Sequence, residues 1–171
     1  MSKLTTEDMA RKFGLLRTNP QEYFALAEQF IRENPDDSDG YYSRHNAWIK
    51  LGRSDLALAD LNRVVELKPD KPAFEARGDL LRDLGQHAAA IKDYDRAEAA
   101  DSASWRDGFG PLRRADCHAR LGNETAALAD CALLPDDHWT PGLSGAPAGT
   151  KADVIAAVRY LAAVARQQRS R

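Results

Sequence analysis

Three tripeptides, Lys50-Leu51-Gly52, Asp83-Leu84-Gly85 and Arg120-Leu121-Gly122, recur along the 171-residue chain, with their glycines 33 and 37 residues apart. Each closes an amphipathic stretch and is followed by another. A glycine in that place ends a helix in a left-handed turn, because it has no Cβ to oppose the positive φ. One such glycine in each interval of this length predicts one helical hairpin per interval. The second helix of each hairpin repeats its interior: Ala57, Leu61 and Val64, then Ala90, Tyr94 and Ala97, then Ala127, Cys131 and Leu134. The offsets from glycine are the same in all three and place one residue per turn on a single face. Alanine in the first slot lets two helix axes approach closely.

The rest of the composition agrees with a helical chain. Ala, Leu, Arg, Asp and Glu recur throughout, whereas runs of Val, Ile and Thr are scarce. With 43% hydrophobic and 29% charged residues, the chain is ordinary for a globular protein, and its length suits one domain or a short repeat array. A net charge of −2 with interspersed signs gives no field suited to nucleic acid or an anionic membrane. Arg159, Arg166, Arg169 and Arg171 form a basic tail, read as a solvated helix end that complements the helix dipole. No apolar core lies between Met1 and Lys12, no apolar run approaches membrane-spanning length, and Cys117 and Cys131 make no disulfide framework. A cytoplasmic, reduced protein is the expectation.

The unit resembles the tetratricopeptide repeat, whose pattern is W-x2-L-G-x2-Y, then A-x3-F, then P. From Ser38, the slots are filled by Tyr41, Arg44, His45 and Trp48, then Ala57, Leu61 and Pro69. The next repeat has Phe74, Arg77, Gly78, Leu81, Ala90 and Tyr94, with Ser102 where the closing proline would stand. The last has Pro111, Arg114, Ala115, His118, Ala127 and Cys131, with Pro135 arriving early. A degenerate repeat precedes these, pairing a helix from Thr5 to about Thr18 with one opened by Asn19, Pro20 and Glu22 and carrying Phe24, Ala27, Phe30 and Ile31 on one face. The resemblance implies an all-α, right-handed α-solenoid of stacked antiparallel helical hairpins, with a C-terminal capping helix. One domain over 1–171 is expected: a degenerate repeat at 1–36, repeats at 38–70, 71–102 and 108–135, a loop at 136–150, and the capping helix at 151–169.

Pro135, Pro141, Gly142, Gly145, Pro147 and Gly149 break the helical pattern. Thr150 to Asp153 then reads as a capping signature for a helix with Val154, Ile155, Val158, Leu161, Ala162 and Ala165 on its apolar stripe, opposed by Lys151, Arg159 and Arg166. Trp139 is expected to pin the loop to the body.

Catalytic or metal chemistry has little support. Cys117, His118, Cys131 and His138 lack ligand or nucleophile spacing, and Cys131 is expected in the core. Gly142 to Lys151 is glycine-rich, but Thr150 precedes Lys151, the reverse of a phosphate-binding loop. No enzyme, cofactor or metal is therefore expected. Binding of a protein or peptide partner is what the resemblance implies, in a concave groove lined by the first helices. Helix spacing puts Tyr42, Asn46 and Ile49 in that groove from one hairpin, Glu75, Asp79 and Arg82 from the next, and Leu112, Arg113 and Asp116 from the last. The family's clamp for a chaperone's terminal carboxylate is a poor match: Asn46 and Arg113 fit, but Tyr42, Ala76 and Phe109 occupy the other slots. The alternative is a self-assembling subunit that uses the solenoid ends, with Phe13, Leu15 and Leu16 as apolar surface.

Overall fold

The computed structural model describes residues 14–140 and 149–170, which divide into two compact units, 1–69 and 70–171. The first unit holds α1 (Pro20–Glu33), α2 (Ser38–Lys50) and α3 (Ser54–Leu67), with α2 packed on both neighbours. Residues 14–18 are helical and Leu15 and Leu16 are half-buried, whereas Phe13 and the rest of the predicted helix from Thr5 lie outside the described residues. The second unit holds α4 (Lys71–Asp83), α5 (His87–Ala100), α6 (Ser102–Asp107), α7 (Gly110–Arg120), α8 (Glu124–Ala132) and α9 (Lys151–Arg169). A two-residue antiparallel pair, β1 (Trp139–Thr140) and β2 (Gly149–Thr150), stands before α9. Within this unit α4 packs on α5, α5 on α7, α7 on α8, and α9 on both α7 and α8.

The three glycines have φ of 72°, 74° and 75° at Gly52, Gly85 and Gly122. Each makes the same pair of bonds. Gly52 N donates to Ile49 O at 3.1 Å, Gly85 N to Arg82 O at 2.9 Å and Gly122 N to Ala119 O at 2.8 Å. The next residues reach back a further turn, Arg53 N to Trp48 O, Gln86 N to Leu81 O and Asn123 N to His118 O, at 2.8–2.9 Å. This is the Schellman closure, which satisfies the last carbonyls of a helix and reverses the chain. The helix starts are equally local. Asn19 Oδ1 accepts from Glu22 N, Asp70 Oδ1 from Ala73 N, and Thr150 and Asp153 form a capping box.

Ala57, Leu61, Ala90, Tyr94, Ala97, Ala127 and Cys131 are all 0% exposed, and Val64 and Leu134 nearly so. The second-helix stripe is thus the core of each hairpin. Facing slots trade volume: a Cβ on Gly78 would come within 2.8 Å of the Tyr94 ring, so the glycine makes room for the tyrosine. In α1, Tyr23 joins Ala27 as buried, while Phe24, Phe30 and Ile31 are half-buried. Phe24 meets Trp48 with ring centroids 4.5 Å apart.

Arginine in the repeat's leucine slot has a partner that the sequence reading did not identify. Arg44 donates Nε and Nη2 to Asp60, Arg77 to Asp93 and Arg114 to Asp130, each across a separation of 16 residues. Arginine sits eight residues before each glycine and aspartate eight after it. The fork therefore ties the first helix of every hairpin to its second. Arg44 also reaches Glu28 of α1 at 3.4 Å, and Arg114 reaches Glu98 at 2.7 Å and Asp95 at 2.8 Å on α5.

The longer interval between Gly85 and Gly122 holds α6, capped by Asp101. Its Trp105 is 0% exposed, lies 5.5 Å from the Tyr94 ring and presses on Gly110. At the far end, α9 is clamped twice. Lys151 Nζ donates to Leu134 O at 2.7 Å and Asp136 at 2.9 Å, and Arg166 pairs with Glu124 at 2.8 Å. Lys151, with its side chain 20% exposed, is thus enclosed rather than part of the solvated back, whereas Arg166 stays 50% exposed and makes its ion pair at the surface. Trp139 is 65% exposed and pins nothing; its neighbour Thr140, 0% exposed, is the residue that turns inward. Residues 141–148 of the glycine-rich loop lie outside the described residues.

Candidate functional site

The expected groove residues fall in both units. In the first, Asn46 Nδ2 donates to Tyr42 O at 2.9 Å, and His45 Nδ1 lies 2.6 Å from the same oxygen. The Tyr42 and His45 rings meet edge-on at 4.8 Å, and Ile49 is 42% exposed.

In the second unit, α4 and α7 place Asp79, Arg82 and Arg113 in one ionic cluster. Asp79 Oδ1 accepts from Tyr94 Oη at 2.8 Å and lies 3.3 Å from Arg113 Nε and 3.7 Å from Arg82 Nη1. Arg82 is turned to Asp83, with Nη2 at 3.0 Å. Burial raises the Asp79 carboxyl above the ordinary aspartate range, against the pull of Arg113, Tyr94 and Arg82. Burial likewise raises the Tyr94 hydroxyl, with Asp79 adding to it, so Tyr94 stays a donor. Tyr94 was legible only as a core residue. The signal for its second role is general, since a buried tyrosine hydroxyl needs a polar partner.

Glu75 pairs within α4 with Lys71 at 3.6 Å, and Asp116 within α7 with Arg120 at 2.9 Å, so neither joins the cluster through an ion pair. Leu112 is a correction. It is 1% exposed and packs with Val154 and Val158 of α9, so it belongs to the core rather than to a binding face. The covering helix comes from forty residues further along the chain and takes the face that periodicity within α7 had left open.

Both cysteines are free and buried. Burial pushes the Cys117 thiol up to about 12 and the Cys131 thiol up to about 11, away from the thiolate needed for reactivity. No group of three metal-ligating side chains exists among the described residues. No helix among them is long and apolar enough to cross a membrane.

The histidines carry a testable consequence. Burial lowers His45, His87 and His118 below the ordinary 6.5, and Nδ1 of both His87 and His118 is buried with no hydrogen-bond partner. The folded state holds these rings neutral, whereas the unfolded chain takes up protons near pH 6.5. Their contribution is thus complete above that pH and is lost as the pH falls from there toward the lower folded values. Urea unfolding at about pH 7.5 and about pH 5.5 is expected to show a lower midpoint in acid. A His45→Asn variant is expected to show a smaller drop. Equal midpoints in the native chain would refute the reading.

With the geometry in place, the chain can be set beside known proteins. The profile of the family described as tetratricopeptide repeat matches residues 72–104, which run from α4 into α6. Tetratricopeptide repeat protein 13 of Homo sapiens is 38% identical over 100 residues, 54% of this chain and 12% of that protein. DnaJ homolog subfamily C member 3 of Rattus norvegicus is 41% identical over 64 residues, 37% of this chain and 13% of that protein. The chain therefore spans 12–13% of the length of these curated relatives. Among solved structures, MamA superposes with a TM-score of 0.64 at 14% identity, covering 99% of both chains. YrrB, described as a TPR protein with an unusual peptide-binding site, superposes with a TM-score of 0.62 at 18% identity over 71% of this chain and 62% of its own. At these identities the structural likeness is one of fold.

Proposed function

We propose that this chain is a protein-interaction module of the tetratricopeptide type, which holds a peptide or protein partner on the first helices of the hairpins in its second unit. The observation that carries the reading is the cluster on α4 and α7, where Asp79, Arg82 and Arg113 form one connected set with the hydroxyl of a core tyrosine. A structural ion pair within a hairpin already exists in each repeat, through Arg44, Arg77 and Arg114. The second set, joining α4 to α7, is not needed to close any hairpin. Polar side chains in fixed positions beside half-exposed apolar ones are what a recognition surface requires. No catalytic step is assigned to it, since the nearby thiol of Cys117 is buried and held protonated.

The test is affinity capture followed by hydrogen exchange on the complex. A partner that protects amides of α4 and α7, and that is lost with an Asp79→Ala/Arg113→Ala variant of unchanged helix content, is the expected result. Protection confined to α5 and α8 would overturn the reading. Recovery of the chain alone would favour the rival, a self-assembling subunit that uses the ends of the array.

A further inference from the structure

The chain holds two Asp-Gly bonds, Asp39-Gly40 and Asp107-Gly108. An aspartate followed by glycine can close a five-membered ring on its own backbone, because no side chain shields the attacking nitrogen. Closure also needs the aspartate ψ to leave the helical range, so the surroundings decide which bond reacts. Asp39 lies in the first turn of α2, and a Cβ on Gly40 would come within 2.7 Å of Ile31 and 2.9 Å of Phe30 on α1. Turning that peptide unwinds the helix start and lifts Gly40 off its neighbour. Asp107 is the exposed last residue of α6, a helix of 6 residues. Gly108 after it is exposed and extended, with φ −98° and ψ −155°. Its N–H is held by one long bond, 3.3 Å to Trp105 O. Among the described residues the Asp107 carboxylate has no hydrogen-bond or ion-pair partner, so it is free to turn back on the chain. The end of a helix this short opens at little cost.

We propose that Asp107 is a site of spontaneous isomerisation, where this protein acquires an isoaspartate and becomes a substrate for isoaspartyl methyltransferase. The Gly108 nitrogen attacks Cγ of the protonated Asp107 carboxyl and loses its proton, and one water leaves, giving a succinimide. Water then opens the ring. Attack at the side-chain carbonyl restores aspartate. Attack at the main-chain carbonyl leaves the chain running through Cβ and Cγ, with the former main-chain carbon as a free carboxylate. The methyltransferase esterifies that carboxylate from S-adenosylmethionine. Isomerisation lengthens the backbone by one atom between Trp105 and Gly110, where the indole already leaves no room for a Cβ. Trp105 packs on Tyr94, and the Tyr94 hydroxyl holds Asp79, so the lengthened segment strains the packing of the second unit.

The full chain, aged at neutral pH and body temperature, tests this directly. It is labelled with isoaspartyl methyltransferase and radioactive S-adenosylmethionine, digested, and its peptides are separated and identified by mass. The peptide holding Asp107 is expected to carry about tenfold more label than the one holding Asp39, the rate ratio that one additional hydrogen bond to be broken gives. The labelled fraction is expected to unfold at lower urea than the fresh chain. Asp107→Glu, whose longer side chain disfavours the five-membered ring, is expected to remove that label with circular dichroism unchanged. It leaves every contact of Trp105 in place, so it separates the chemistry of the bond from the fold around it. An aged native chain without label at Asp107 would overturn the proposal. So would equal label at Asp39, or label in the same peptide that survives Asp107→Glu.

Discussion

Replacing Arg114 with alanine is expected to lower the unfolding free energy by about 3–5 kcal/mol, the range for breaking a buried ion pair from one side. The guanidinium is 11% exposed and serves three carboxylates: Asp130 through Nε and Nη2, and Glu98 and Asp95 through Nη1. Asp95 is 56% exposed and adds little, because water screens it. Asp130 is the costly one. At 6% exposure its carboxylate would keep only His118, 4.0 Å away, whose ring burial holds neutral. Burial already raises the Asp130 carboxyl, and without Arg114 nothing comparable opposes that. A folded-state pKa above the unfolded one favours folding in acid and is lost as the pH rises. The gap between variant and native stability is therefore expected to narrow toward about pH 4. Arg114→Lys is expected to recover less than half, since an ammonium cannot reproduce the fork. Urea denaturation followed by circular dichroism measures all three quantities, and a loss below about 1 kcal/mol for alanine would refute the argument.

Trp105→Ala is the second large effect, at about 3–5 kcal/mol. The indole is 0% exposed and lies between the Tyr94 ring and the backbone at Gly110, with the Arg114 guanidinium 5.6 Å from its centroid. Alanine leaves a cavity that the surrounding helices cannot close without moving Tyr94, and Tyr94 carries Asp79. The variant is therefore expected to weaken partner binding as well as stability. Trp105→Phe separates packing from polarity. The indole Nε1 is buried with no hydrogen-bond partner, so phenylalanine removes an orphan donor while keeping most of the volume. Its expected cost is below about 1.5 kcal/mol. Thermal and urea unfolding of the pair decide the matter. Equal losses for Ala and Phe would show that the site is not held by volume.

These two residues mark the boundary between what could be read from the chain and what could not. Arg114 was visible as the occupant of the leucine slot, with Arg44 and Arg77 in register. Asp60, Asp93 and Asp130 stood in a register just as strict, but a charge on a second helix is most often solvated, and spacing alone gives no reason to bury it. Trp105 lies in the four residues by which one interval exceeds the other. The surplus was countable, but its fold as α6 beneath Tyr94 was not.

The helix ends, the hairpin length and the hairpin interiors follow from the sequence because they depend on neighbours within a few residues. A left-handed glycine, an asparagine or threonine cap, and an alanine–tyrosine stripe act over one or two turns, where the chain itself holds the partners in place. Leu112, Lys151 and Trp139 were misjudged for the opposite reason. Which face of α7 is covered, and where the charge of Lys151 on α9 is bound, is set by segments 17 or more residues apart that meet only after folding. The same holds for the candidate site. Asp79 and Arg113 could be named from helix spacing, but their joining and the Tyr94 hydroxyl behind them exist only once α4, α5 and α7 have packed.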